Sequence, residues 1–293
     1  MVSIVIITCN RLDSLPKTIE SCLSFMDHTS ELIVVDNGSI DGTREWVTEQ
    51  SLKNSKIKGV FLPTNLGVAG ARNVGFARAN GDIVYFIDDD AWIQRAEPGF
   101  RDIEKLFSDH PDIAIVGTEI RNTVYHIFEH GVFPKGNMKP SEGIMFNYIG
   151  ASHFIRKSVF EGRELYPANL FYGAEEHYAS LYAWGQGKIV YYYSRFSVVH
   201  QPNRKTRIND EEKVCRSYVN LFLCKKLTTH SSVIPVMWVL FLLRVVNMSK
   251  GQMGLVKKSL SLYSDVHDDA YRRPMSFVKT AWLVRKFGFV TIL

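Results

Sequence analysis

Short, almost wholly apolar runs alternating with helical stretches narrow the folds open to this chain more than any other feature. Six runs read as strands: Val2–Thr8, Leu32–Asp36, Gly59–Leu62, Ile83–Ile87, Ile113–Gly117 and Lys188–Tyr193. Helical patterns lie between the first four, from about Leu12 to Met26, from a cap at Asp41 to about Gln50, and from Val68 to Asn80. A strand that is apolar at every position is buried on both faces, and the intervening helices are what cover it. The expectation is an α/β fold with a doubly wound, mostly parallel sheet. Such sheets bind ligands beyond the carboxyl ends of their strands.

Three of the runs deliver polar residues to that edge: Thr8-Cys9-Asn10, Asp36-Asn37, and Asp88-Asp89-Asp90 at the end of "IVYFI". Three adjacent carboxylates repel one another unless a cation sits among them. Carboxylate oxygens suit Mg or Mn, and such an ion can bridge to phosphate. The segment Asn65–Asp82 leads into the same strand, but its Gly67, Gly70 and Gly75 do not form GxGxxG, and GxxxxGK[ST] is absent from the sequence. Dinucleotide and P-loop readings are therefore weak. Arg72, in the first turns of that helix, could face a pyrophosphate with the helix start behind it.

A second cluster follows at Phe171–Gln201. Glu175-Glu176 open an aromatic-rich helix. Paired carboxylates there suit the helix dipole, and one could equally act as general base toward an acceptor hydroxyl. His200 closes the next strand, either as a structural hydrogen-bonding residue or as a metal ligand beside Asp90. Just beyond, Arg204, Lys205 and Arg207 could cover a diphosphate.

With 293 residues, 46% of them hydrophobic, the chain can build one large domain or one domain plus an appendage. Its four cysteines lack CxxC spacing, so neither a zinc site nor a disulfide framework is indicated, and reduced cytosolic thiols are expected. The chain enters a strand directly after Met1, with no basic segment or cleavage site of a secretory signal. Charge is uneven: residues 1–200 carry 19 Lys+Arg against 24 Asp+Glu, a net of −5, whereas residues 201–293 carry 16 against 6, a net of +10. The basic part also holds "VIPVMWVLFLLRVV", Val233–Val246. At 14 residues it falls short of the roughly 20 that span a bilayer, and it fits a buried helix or one lying in the lipid interface. A boundary near residue 205 divides residues 1–205 from a basic helical region, 206–293.

Five segments, taken together, resemble the inverting nucleotide-sugar glycosyltransferases of family 2, which have the GT-A fold. They are "VSIVIITCNR", "VVDNGSIDGT", "NLGVAGARNVGFARANGD", "FIDDDA", and "YGAEEHYASLYAWGQGKIVYY" followed by "SVVH". The resemblance covers roughly Ser3 to Leu223, and "CRSYVNLFLCKKL" is similar to a segment of the rhamnosyltransferase-like members. It implies a nucleotide-sugar half over about 1–117 and an acceptor half over about 118–205. Thr8, Asn10, Arg11 and Asp36 would line the nucleotide pocket, Arg72 would lie near the ribose and phosphates, and Asp88 and Asp89 would lie against the ribose and metal. Asp90 and His200 would ligate a divalent Mn or Mg. Glu176 would be the general base, with Glu175 the other candidate, because this chain has Glu-Glu where the family usually has Glu-Asp. The following Tyr178–Tyr182 replaces a more charged family pattern, which implies a more aromatic acceptor pocket.

The implied reaction moves a sugar from a nucleoside diphosphate, UDP or dTDP rather than GDP, to an acceptor hydroxyl with inversion. A saccharide or lipid-linked saccharide of the cell envelope is the expected acceptor. The expected setting is the cytoplasmic face of an anionic membrane, with a homodimer through the C-terminal helices as an option. A nucleotidyltransferase would need a Gly-rich basic loop after the first strand, where this chain has "TCNRLDSLP". A non-catalytic sugar-nucleotide scaffold would not need the intact carboxylates. Nucleic acid is a poor partner for a tail whose charges are interleaved with a long apolar run.

Overall fold

The computed structural model describes residues 1–96, 99–136, 140–202, 210–250, 252–266 and 268–293. The apolar runs form strands separated by helices: β1 (Val2–Thr8), α1 (Leu15–Phe25), β2 (Glu31–Asp36), α2 (Thr43–Lys53), β3 (Ile57–Phe61), α3 (Gly67–Arg78) and β4 (Ile83–Asp88). Helix α1 starts three residues later than its apolar pattern expects. Residues 11–14 turn first, with the Ser14 N–H donating to the Arg11 carbonyl, and Pro16 then fixes the first helical turn. The Asp41 carboxylate accepts from the N–H and hydroxyl of Thr43, the first residue of α2.

β5 (Ala91–Ala96), α4 (Phe100–Asp109), β6 (Ile113–Asn122), β7 (Ile127–Glu129), β8 (Glu142–Met145) and β9 (Ser152–Arg156) follow. Then come α5 (Glu175–Gly185), β10 (Ile189–His200), α6 (Asp210–Thr228), α7 (Ile234–Ser249), α8 (Met253–Val266), α9 (Phe277–Phe287) and α10 (Phe289–Ile292). The sheet has ten strands in the order β3-β2-β1-β4-β9-β6-β10-β5, with β7 on β6 and β8 on β10. β1 to β4 are parallel, and β9 runs antiparallel between β4 and β6. β10 continues seven residues beyond the expected Tyr193 because its second half lies against both β5 and the end of β6.

Burial on both faces follows the two-residue period of a strand. Ile4, Ile6, Val34, Tyr85 and Ile87 face α1 and α4, where Leu15, Ile19, Phe100 and Phe107 are buried. Val5, Val35, Val84 and Phe86 face the other way, with Phe76 of α3 and Tyr178 and Trp184 of α5. The C-terminal helices join this second core through Val219, Leu223, Phe241, Val245, Leu283 and Phe287. Helix α7 buries a stripe of Met237, Phe241, Val245 and Ser249, leaving Val239, Leu243 and Val246 52–61% exposed. With the short 3-10 turn before it, the helical stretch Ser231–Ser249 is long and apolar enough to cross a membrane, which the apolar run alone is not.

Candidate active site

The carboxyl ends of β1, β4 and β10 bring the first cluster together. Asp88 is the last residue of β4, level with Ile7 of β1, and its N–H donates to the Ala151 carbonyl (3.1 Å). Asp89 and Asp90 form the turn into β5. Helix α1 holds that turn from behind: the Thr18 hydroxyl lies 3.0 and 2.7 Å from the carbonyls of Asp89 and Ala91. On the other side the Gln201 N–H donates to the Asp90 carbonyl (2.9 Å), bringing the end of β10 alongside.

Arg11 and His200 reach the carboxylates of this turn, and Arg72 reaches Asp88. Arg11, on the β1–α1 loop, places Nη1 2.7 Å from Asp90 Oδ2 and 3.7 Å from Asp89 Oδ1. His200 places Nε2 3.2 Å from Asp90 Oδ1, and its Nδ1 lies 2.9 Å from Glu129 Oε2. Burial works against charge on that imidazole, but the bonds to Asp90 and Glu129 and the field of Asp88 outweigh it and lift its pKa to about 10. Asp89 rises to about 7 through burial, opposed by Arg11 and reinforced by its two aspartate neighbours. One ligand atom each from Asp88, Asp90 and His200 lies within 4.8 Å of the others. Two carboxylates and an imidazole, converging on one point, fit a divalent ion such as Mn or Mg.

Arg72 organises the second cluster. The sequence expects it beside ribose and phosphates; its side chain is 3% exposed, and its hydrogen bonds go to protein acceptors. Nη2 donates to Asp88 Oδ1 (2.8 Å) and the Gly150 carbonyl (3.0 Å), and Nη1 to Glu175 Oε1 (3.1 Å), with Glu176 Oε1 3.9 Å away. Burial alone would lower the Arg72 pKa, but Asp88 and Glu175 dominate and raise it, keeping the guanidinium charged. Burial, then repulsion from Glu175, pushes Glu176 up to about 8 against the pull of Arg72. Glu175 also rises, chiefly by burial. Of the two, Glu175 is the buried partner of Arg72, whereas 19% of the Glu176 side chain remains open to solvent.

The Glu pair is aimed by a strained loop. Phe171 and Ala174 hold φ of 57° and 69°, and the Phe171 carbonyl accepts from the Val68 N–H in the first turn of α3. Asn220 of α6 fixes this loop, its single amide nitrogen lying 2.9, 2.8 and 3.0 Å from the carbonyls of Leu170, Tyr172 and Gly173. Across the site, Gly150 leaves room for the Glu pair: a Cβ there would overlap Glu176 Oε1 and crowd both terminal nitrogens of Arg72.

The remaining expected residues lie on the same edge. Thr8 is buried at the end of β1. Asn10 bridges two loops, its N–H donating to the Ser39 hydroxyl and its Oδ1 accepting from the Ile40 N–H. Asp36 is fully buried, accepting the Ser39 N–H (3.0 Å) and facing Arg44 Nε (3.4 Å). Arg204, Lys205 and Arg207 lie outside the described residues. Glu129, Gly150 and Asn220 belong to the cluster without any sequence signal. None stands at a strand end of the parallel half or in a charged run, and each meets its partner only through the tertiary fold.

The sequence profile described as "Glycosyl transferase family 2" matches residues 3–163, more than half of the chain. The chain belongs to glycosyl transferase family 2. That match carries β1 through β9 and the three aspartates; Glu175, Glu176 and His200 lie beyond it, so their grouping rests on the geometry above. Among curated family relatives, an uncharacterised glycosyltransferase of Haemophilus influenzae is 38% identical over 93 residues, covering 32% of this chain and 37% of that protein. A UDP-Glc:alpha-D-GlcNAc-diphosphoundecaprenol beta-1,3-glucosyltransferase of Escherichia coli is 33% identical over 119 residues, covering 39% of this chain and 47% of that one. The chain thus spans between about a third and a half of the length of these two relatives. Among solved structures, a mannosyltransferase of Pyrobaculum calidifontis in complex with GDP-Man and Mn2+ superposes over 97% of this chain and 78% of its own, with TM-score 0.61 at 16% identity. At that identity the superposition speaks for the GT-A fold alone.

Proposed function

We propose that this family 2 chain is a metal-dependent inverting glycosyltransferase. It would move a sugar from a nucleoside diphosphate sugar to a hydroxyl of a lipid-linked saccharide acceptor. The observation that carries the reading is the pairing of two clusters across Arg72. A divalent-ion donor set of Asp88, Asp90 and His200 lies on one side, and a partly open carboxylate of raised pKa, Glu176, on the other.

The chain's own residues divide the work. Asp88, Asp90 and His200 would hold the ion, which would neutralise the diphosphate as a leaving group. Arg11 bridges Asp89 and Asp90 and stands where it can turn to a donor phosphate. Glu176 accepts the proton of the acceptor hydroxyl as that oxygen attacks the anomeric carbon from the face opposite the departing diphosphate. Arg72 and Glu175 keep that carboxylate in place. One displacement gives inversion, as in inverting glycosidases, with a sugar hydroxyl in place of water. Thr8, Asn10 and Asp36 would line the base pocket. The UDP-Glc donor of the E. coli relative supports a uridine nucleotide, with the GDP-Man of the Pyrobaculum enzyme as the alternative.

The diphosphoundecaprenol acceptor in the E. coli relative's name and the open apolar face of α7 support work at a membrane surface. The net +10 of residues 201–293 suits an anionic one. The testing experiment is a thermal-shift screen of UDP, dTDP, GDP and their sugars, each with and without Mn2+. A ligand that binds the native state at 100 times its Kd adds about 2.7 kcal/mol of stability. Stabilisation by one nucleotide only when Mn2+ is present supports the reading, and equal stabilisation in EDTA removes the metal from it. NMR of the product's anomeric centre then reads the stereochemistry.

A further inference from the structure

We infer that Glu129 is a positioning residue for the metal site, holding His200 through Nδ1 in the one orientation that turns its Nε2 toward Asp88 and Asp90. The inference rests on the metal reading above and goes beyond it to a residue outside the donor set.

The geometry begins with the two ring nitrogens of His200. Nε2 faces the aspartates, 3.2 Å from Asp90 Oδ1, and Nδ1 lies 2.9 Å from Glu129 Oε2. A carboxylate offers only lone pairs, so the proton in the second contact belongs to Nδ1. As the cation described above, His200 donates from both nitrogens, Nε2 to Asp90 and Nδ1 to Glu129; with the Nδ1 proton held by Glu129, it is Nε2 that would give up its proton to coordinate an ion. Glu129 is held in turn. Its Oε1 accepts from Asn122 Nδ2 (2.5 Å), and Asn122 is 1% exposed. The Asn122 Oδ1 accepts from the N–H groups of Val124 and Tyr125 (2.9 Å each), which closes the β6–β7 hairpin. His200 stands level with Asn122 in the β10–β6 pairing, and the Thr123 N–H donates to the His200 carbonyl (3.0 Å). The hairpin therefore fastens both the backbone and the ring of His200.

Electrostatics makes the placement informative. Glu129 adds a fourth carboxylate near Asp88, Asp89 and Asp90, and if it served only to staple the hairpin, a neutral side chain would do so with less repulsion. Its charge is useful where it polarises the imidazole, making Nε2 a stronger donor to a cation. Carboxylates in this relation to ligating histidines typically change metal affinity by roughly 10–100-fold when removed.

The test is a double-mutant cycle read as Mn2+ affinity, by EPR of free Mn2+ at fixed pH, with saturating UDP and without it. Glu129→Gln keeps the shape and removes the charge; Glu129→Asp keeps the charge and shortens the reach. Each should weaken Mn2+ binding by roughly tenfold in the parent protein. In a His200→Ala background each should change it less than about twofold, because the effect runs through the ring. Unchanged affinity in both single variants overturns the inference, as does an equal loss with and without His200, which would mean a diffuse charge effect. If His200→Ala itself binds Mn2+ as tightly as the parent, the metal assignment falls and this inference with it. Circular dichroism and Tm of each variant identify any loss that comes from unfolding, and the aspartate variant then carries the test if the glutamine variant does not fold.

Discussion

At the scale of single residues, the site is a problem in charge compensation, and its substitutions should separate cleanly. Glu176→Gln removes the proton acceptor but leaves the Asp88, Asp90 and His200 donor set intact. Turnover should fall by about 10²–10⁴-fold with donor affinity preserved, measured by product formation and by calorimetry with the nucleotide. Because Glu176 is raised to about 8 in the free protein, kcat/KM should climb through that pH, and the limb should vanish in Glu176→Gln. The same shift lowers stability with alkali. The folded state holds this proton more tightly than an ordinary carboxyl, so the contribution is complete below about 4.5 and is lost as pH rises through about 8. Gly150→Ala should displace the Glu176 carboxylate and cost about 10²-fold in turnover, while the core around it stays folded by circular dichroism. The residues legible in the sequence, Asp88 to Asp90, Glu175, Glu176 and His200, announce themselves by ending apolar strands or opening a helix. Glu129 and Gly150 do not, because a lone acid on a three-residue strand and a lone glycine in a loop carry no local pattern.

At the scale of elements, the parallel strands β1 to β4 could be read directly, since burial on both faces leaves continuous apolar runs. β9 could not: five residues, Ser152–Arg156, are too few for a period, and their place is set by partners about seventy positions away in β4 and about forty in β6. Helix α6 is the element whose importance only the fold reveals. Asn220→Ala removes the side-chain amide from the carbonyls of Leu170, Tyr172 and Gly173, of which Leu170 still accepts the Tyr172 N–H, a loss of about 1–3 kcal/mol for a buried group. The expected readout is a lowered Tm together with a slower kcat at unchanged donor affinity. Helix α7 presents the opposite case, a narrow buried stripe with a wide apolar face outward. Val239→Asp with Leu243→Asp, at positions 58% and 61% exposed, should leave Tm nearly unchanged. The pair should reduce flotation with anionic liposomes several-fold, and undiminished flotation would dismiss the face as a membrane contact.

At the scale of the whole molecule, the basic C-terminal helices and the sheet share one core, with Phe241, Val245, Leu283 and Phe287 in the same buried cluster as Val5, Phe86 and Tyr178. Deleting residues 231–293 should therefore give an aggregating chain rather than a soluble catalytic unit, visible by size-exclusion chromatography. The order of strands also has a consequence for how the chain assembles. β1 to β4 can pair as soon as residue 88 has been made, but β6 has only the short β7 at its end until β9 and β10 are made, the second of which ends at His200. Until then the open edges of β4 and β6 resemble the sticky margins that make long-range sheets slow to fold and prone to self-association. Pulse-labelled hydrogen exchange during refolding should find β1 and β2 protected first and β6 last, so that the two halves of the active site meet only in the final step.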